Sequence, residues 1–200
     1  MHHAGVFRVV DEPALRAHLR AHPFVTLTAA PQGRLFAAHA PVVIRDTPQG
    51  LALDFHLARP NPLAEYLATG FSALMISLGP DAYISPDWYG SADQVPTWNY
   101  TAVEAQGEVE ALDDAGLTAL LDDLSAQEEQ RLAPKPPWTR AKMSPGRFEA
   151  MSRAILGGRL WVSRLEGTFK LGQNKSDAER SGAASGLKDH PIAALMATRP

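Results

Sequence analysis

The chain has no cysteine among its 200 residues. That absence excludes disulfides, thiolate nucleophiles and cysteine-ligated zinc or iron–sulfur centres. It is what a reducing compartment permits, so a cytoplasmic location is the expectation. No apolar run approaches the roughly 20 residues needed to span a bilayer, and no membrane partner is expected. The N-terminal residues, with His2 and His3, lack the charged and apolar regions of a signal peptide. Phosphate loops are missing too. Neither G-x-x-x-x-G-K-[ST] nor G-x-G-x-x-G occurs, which removes the Walker and Rossmann signatures. There is no G-x-S-x-G elbow and no H-E-x-x-H pair, so no catalytic residue and no metal ligand is assigned.

Basic residues are scarce in the first 130 positions, where 6 Lys and Arg face 17 Asp and Glu, a balance of −11. Residues 131–200 reverse this, with 13 against 5 and a balance of +8, so the net charge of −3 conceals a strong asymmetry. The basic third either meets an anion, such as a ligand, nucleic acid or an acidic surface of a second copy, or is simply a solvated face. The hydrophobic fraction of 45% and charged fraction of 20% are those of an ordinary globular protein. A chain of this length buries about 70% of its unfolded surface and needs no covalent staples. The expected organisation is one domain over residues 1–187 and a C-terminal tail over 188–200.

Aromatic residues make up only 8% of the chain, yet five of the eight Trp and Tyr fall within eighteen positions. These are Tyr83, Trp88, Tyr89, Trp98 and Tyr100, set among hydroxyls and an amide in AYISPDWY and VPTWNY. A core segment reads as an apolar run or a strict alternation. Flat rings beside hydrogen-bonding groups, on a backbone stiffened by Pro86 and Pro96, suit a planar ligand with polar edges.

Periodicity predicts a helix capped by Asp11 and running to Ala21, with Leu15 and Leu19 on its apolar face. Strands are predicted over Phe24 to Ala30, Leu35 to Ile44, Leu51 to Leu57, Phe71 to Leu78 and Thr101 to Leu112, with Gly107 as a bulge or kink. A short helix starts at Pro60-Asn61-Pro62 and ends at Gly70. Leu117, Leu120, Leu121 and Leu124 form the stripe of a helix capped by Asp113 or Asp114. A loop spans Leu132 to Trp138. Ser144-Pro145 opens a helix that Gly157-Gly158 closes. Arg159 to Glu166 makes the last long strand, continued by Thr168 to Leu171. From Asn174 the chain reads as polar, mildly helical and frayed. Antiparallel strands joined by turns, with helices inserted, predict a mainly β (α+β) barrel or sandwich.

Three polar constellations stand out. His56, Arg59 and Asn61 follow a strand and precede a helix start, where an arginine fork and unpaired N–H groups suit a phosphate; a surface arginine beside an Asn cap is the plainer alternative. His39 stands by Pro41, which marks an edge or a bulge. Lys170, Gln173, Asn174 and Lys175 crowd a strand exit, offering ammonium and amide groups to carbonyls and phosphates, or merely making that exit polar.

Taken together the segments His39-Ala40-Pro41, HLARPNP (56–62), GPDAYISPDWY (79–89), VPTWNY (95–100), Pro137-Trp138 and LEGTFKLGQNKS (165–176) with Arg180 resemble the PaiB-like family of FMN-binding negative transcriptional regulators. Gly172, Asp87, Pro60 and Lys175 depart from the family pattern. The resemblance implies an FMN-binding split β-barrel, a homodimer with flavin held at its interface, and a regulatory role; direct DNA binding is left open. It places His39, His56, Arg59 and Asn61 at the cofactor, the last three around the phosphate. Tyr83, Ser85, Trp88, Thr97, Trp98 and Asn99 would lie near the flavin. Lys170, Gln173 and Asn174 would arrive from the partner subunit. An FMN-dependent oxidoreductase acting on a small substrate is the alternative, since the cofactor carries such chemistry and the protein need only orient it.

Overall fold

The computed structural model describes residues 5–198. In chain order the elements are β1 (Arg8–Val9), α1 (Glu12–Ala21), β2 (Phe24–Ala29), β3 (Phe36–Pro41), β4 (Val43–Thr47), β5 (Gly50–Ala58), β6 (Phe71–Ile84), β7 (Thr97–Ala111), α2 (Asp114–Gln130), α3 (Arg147–Ser152), β8 (Ile155–Lys170), α4 (Asp177–Leu187) and α5 (Pro191–Ala197). The strands form one sheet in the order β3-β2-β6-β7-β8-β5-β4, with β1 paired to β8. The β2–β3, β2–β6, β4–β5 and β5–β8 pairs are antiparallel. This is the split β-barrel class expected from the sequence, mainly β with inserted helices.

Packing divides the chain into two compact units. The first comprises the residues up to Ala21, Leu78–Val103 and the residues from Glu166 on; the second comprises His22–Ser77 and Glu104–Leu165. In the second unit β3 and β4 end the hydrogen-bonded order, yet only Val42 separates them in the chain. Consecutive residues cannot be far apart, so the sheet closes on itself there. Pro41 makes this corner possible, since a proline donates no ladder hydrogen bond. Val42 N–H turns instead to the Pro23 carbonyl, 2.9 Å away. The one strand expected over Leu35 to Ile44 is therefore two.

The core of the second unit follows the alternation of its strands. Val25 and Leu27 of β2 are buried, as are Leu53, Phe55 and Leu57 of β5. Each such side chain contributes about 1.5–3 kcal/mol when removed from water. Gly158 pairs with Phe55 across β5 and β8. A Cβ on Gly158 would lie 2.5 Å from the Phe55 ring. This corrects the expected helix from Ser144 to Leu156. Helix α3 is only Arg147–Ser152, and Gly157 and Gly158 lie inside β8, where the lack of a side chain admits Phe55 and Leu112. Gly107, expected as a bulge, marks a close backbone approach: a Cβ there would lie 1.7 Å from the Trp161 carbonyl oxygen. Helix α2 matches its stripe, with Leu117 and Leu120 buried beside Val43 and Asp113 accepting from Gly116 N–H at 2.7 Å.

The first unit has its own core. Ile84, Tyr89, Leu171, Ala183, Ile192 and Met196 are buried together, with Trp88 and Phe169 packed against them. Helices α4 and α5 supply half of that cluster, so the mildly helical character expected from Asn174 on is present, but as packed helices where fraying was expected. Their pattern uses small residues. A Cβ on Gly186 would sit 2.4 Å from the Trp88 indole, and one on Gly182 would sit 2.3 Å from the Trp88 carbonyl oxygen. The apolar partner of α4 is thus one large ring received by glycines, which no hydropathy stripe records. Strands β6 and β7 also run further than expected, to Ile84 and from Thr97, and take in part of the aromatic stretch. No helix among the described residues is long and apolar enough to cross a membrane.

Candidate functional site

Because β7 begins at Thr97, its two-residue period decides which neighbours share a face. Thr97 and Asn99 point one way and Trp98 the other: Asn99 is 1% exposed and Trp98 55%. The Asn99 amide donates to the Met196 sulfur at 3.4 Å, which anchors it to α5. Lys170, the last residue of β8, donates to the Thr97 hydroxyl. Lys175 donates to the Gln94 side-chain carbonyl and lies 4.6 Å from the centre of the Tyr89 ring. Thr97, Asn99, Lys170, Lys175 and Tyr89, with Phe7 and Asn174, line a cavity of about 300 Å³ in the first unit. Neither ammonium belongs to a salt bridge among the described residues. Burial, reinforced by the charge of Lys175, pushes the Lys170 ammonium below the usual lysine range.

The turn after β8 is built locally. Gly172 has φ +84°, the left-handed region that favours glycine, and its carbonyl accepts from Lys175 N–H at 2.9 Å. Gln173 is spent on the turn itself. Its side-chain oxygen accepts from Leu171 N–H at 2.7 Å and its amide donates to the Phe169 carbonyl. On the other face of β7, Trp98 meets Tyr83 edge-on at 6.3 Å, and Tyr83 is 48% exposed. Trp88 faces the α4 glycines, and half-buried Ser85 precedes the turn Pro86–Tyr89 without capping it.

The second unit holds the arginine constellation. Arg59 follows β5, and its N–H donates to the Ala154 carbonyl at 2.9 Å while its Nε donates to the Arg153 carbonyl at 2.5 Å. Both bonds tie it to the start of β8. Arg59, Arg140 and Arg153 line a cavity of about 400 Å³ together with Thr118 and Ser152. Asn61 caps the turn Pro62–Tyr66 by accepting from Leu63 N–H at 3.0 Å. His56, paired with Gly157 in the register, has its Nδ1 buried without a hydrogen-bond partner. Burial lowers its pKa, so it is a neutral imidazole. His39 is exposed on β3 at the end of the strand order, shares a hydrogen bond with the Thr26 hydroxyl at 3.2 Å, and stacks on Phe24 at 6.4 Å.

Residues 1–164 match the model of the family described as "Putative FMN-binding domain". The chain belongs to that family. Among its relatives is the Protease synthase and sporulation protein PAI 2 of Bacillus subtilis, 28% identical over 96% of this chain and 92% of that protein. An uncharacterized protein of Emericella nidulans is 26% identical over 88% of this chain and 85% of its own length. The FAD and heme binding protein of Mycobacterium smegmatis shares the fold, with a TM-score of 0.61 at 19% identity over 90% of this chain and 80% of that one. So does the flavocytochrome Anf3 of Azotobacter vinelandii, with a TM-score of 0.58 at 14% identity over 84% of this chain and 72% of that one.

Within this family member, the residues singled out from the sequence form three groups. Thr97, Asn99, Lys170 and Asn174 share one cavity. Tyr83 and Trp98 make an exposed aromatic pair. His56, Arg59 and Asn61 belong to the other unit with His39. Gln173 and Asn61 hydrogen-bond their own turns, and Trp88 is packed on α4. Sequence reasoning overlooked Arg153 because residues 144–156 read as a plain helix, and Arg140 because it falls between the expected loop and that helix. Their only signal was the basic excess after position 130.

Proposed function

We propose that this protein binds FMN and works as a homodimer, with each flavin shared between the Arg59 cavity of one copy and the Lys170 cavity of the other. The observation that carries this reading is that Arg59 in one cavity and Lys170 and Lys175 in the other form no salt bridge among the described residues, whereas Arg140 is held by Asp122. Lys170 and Lys175 bond to neutral oxygens, and Arg59 bonds to a carbonyl. For half-buried Lys170 an anion or carbonyl-rich ligand offsets the cost of desolvation, and exposed Arg59 keeps donors free for one. The donor set fits FMN. Arginine and hydroxyl donors suit its phosphate, and Lys170 and the amide of Asn174 suit the carbonyl edge of a flavin ring. When bound, FMN supplies reversible one- and two-electron chemistry.

The exposed Trp98–Tyr83 pair supports a second copy, since large apolar rings on a surface mark contact sites. The regulatory part of the reading follows the resemblance to PaiB-like proteins. Helix α2 is acidic on its exposed side and unsuited to DNA phosphates, so regulation by the flavin state through a partner is favoured over direct operator reading.

The test is complementation between copies. Arg59→Ala and Lys170→Ala each weaken FMN binding alone. Mixed after dissociation, they regain part of it, because heterodimers contain one intact site. No recovery from mixed dimers overturns the shared site. Retention of a promoter fragment at physiological salt would overturn indirect regulation. Rapid flavin reduction by NADH or NADPH would favour the oxidoreductase.

A further inference from the structure

We propose that Arg153 is the second arginine of a phosphomonoester subsite, which makes this protein select FMN over both riboflavin and FAD. The inference rests on the FMN reading above and adds its selectivity. The backbone itself sets two guanidinium-bearing residues side by side: Arg59 N–H and Nε donate to the carbonyls of Ala154 and Arg153. Arg140, the third arginine of the cavity, is already engaged by Asp122 at 3.0 Å and covers the Phe148 ring at 4.9 Å. The Arg153 guanidinium has no such partner among the described residues. Two unpaired arginines, each a planar fork of donors, match a dianion with three terminal oxygens. Ser152 and Thr118 line the same space and add hydroxyl donors.

The carboxylates in this cavity set the upper limit. Asp114 and Glu149 also line it. They offset part of the positive charge, and with Arg140 already held by Asp122 the two remaining arginine forks suffice for one phosphate and leave none for a second, so a pyrophosphate with an adenosine attached is disfavoured. Riboflavin, which lacks the phosphate, leaves both arginines unpaired. The discriminating groups thus come from the segment between α2 and β8, distant in sequence from Arg59.

The experiment measures the affinities of riboflavin, FMN and FAD by flavin fluorescence for wild type, Arg153→Ala, Arg153→Lys and Glu149→Gln. Wild type is expected to bind FMN at least tenfold more tightly than either other flavin. Arg153→Ala should lose about 10- to 100-fold for FMN and leave riboflavin unchanged, with Arg153→Lys between. Glu149→Gln should narrow the gap between FMN and FAD. A wild type that binds FMN, combined with an Arg153→Ala affinity equal to wild type or a parallel loss for riboflavin, overturns the subsite and leaves the FMN reading intact. A wild type that binds no FMN overturns both. Thermal melts of each variant without flavin identify loss of folding; should Arg153→Ala fail to fold, Arg153→Lys decides by the same FMN-to-riboflavin ratio.

Discussion

Two arginine clusters in the second unit use the same side chain to opposite ends. Asp54, 1% exposed, receives Arg159 through two bonds of 2.6 and 2.8 Å and Arg45 through one of 2.9 Å. Arg45 reaches on to Asp123. Every charge there is answered within the chain, and the cluster holds β4, β5, β8 and α2 together. Arg59 and Arg153 form no salt bridge among the described residues, although Asp114 and Glu149 line the same cavity, and the Arg59 side chain bonds only to the Arg153 carbonyl. Compensated charges build the fold, whereas uncompensated charges around a cavity mark where a ligand completes the electrostatics. The first unit repeats the contrast. Glu179 accepts from Ser91 and closes a capping box with Ser176, while Lys170 has only a hydroxyl.

That comparison breaks most visibly at Asp54. Asp54→Asn leaves the partly buried Arg159 guanidinium without its carboxylate and Arg45 with Asp123 alone, and a loss of about 3–5 kcal/mol in urea unfolding is expected. FMN affinity of the folded fraction should hold, and a selective loss of binding would assign Asp54 to the wrong class. Arg59→Ala should do the reverse. Its FMN affinity falls by about 1.5–3 kcal/mol, and its unfolding midpoint moves much less. A variant that destabilises as strongly as Asp54→Asn would make Arg59 a structural residue.

Smaller effects sharpen the contrast in the first unit. Ser176→Ala removes a cap and should cost about 1 kcal/mol. Hydrogen bonds from the Ser91 hydroxyl, then from Ser176, hold Glu179 down to about 2 from an ordinary 4.5. A carboxylate lowered on folding stabilises fully above its unfolded pKa. Its contribution is therefore lost as pH falls from about 4.5 towards about 2, and acid titration of Glu179→Gln should lack that component. Lys170 gives the smallest signal. Its lowered pKa means that it loses its proton earlier than a free lysine as pH rises. FMN affinity should weaken in the alkaline range, and Lys170→Arg should shift that weakening upward. An affinity flat with pH would remove the Lys170 charge from the site.

Much of the fold was legible because strands and caps leave local marks. Asp11 accepts from Ala14 N–H at 3.0 Å, and Asn61 and Asp113 cap as their positions suggested. What was misread depends on distant partners. Gly157 and Gly158 resemble a helix stop until Phe55 occupies the space beside them, and α4 looks too polar until Trp88 fills its glycines. The candidate site followed the same rule. The Lys170 end was visible as a local crowd of polar groups, and the VPTWNY segment stood out by its rings and hydroxyls, of which Thr97 and Asn99 line the cavity with Lys170. The segment's alternation was not visible, so Trp98 was grouped with Thr97 and Asn99, whose side chains point the other way. Arg153 gave no local sign, since only the backbone bonds to Arg59 bring the two together.

The measurement that bears most directly on the account is a titration of FMN into the purified wild-type protein, followed by flavin fluorescence with stoichiometry counted per chain. Saturable binding of one FMN per chain, weakened by Arg59→Ala and by Lys170→Ala but not in folded Asp54→Asn, is the expected result. Absence of saturable FMN binding by the folded wild type would contradict it.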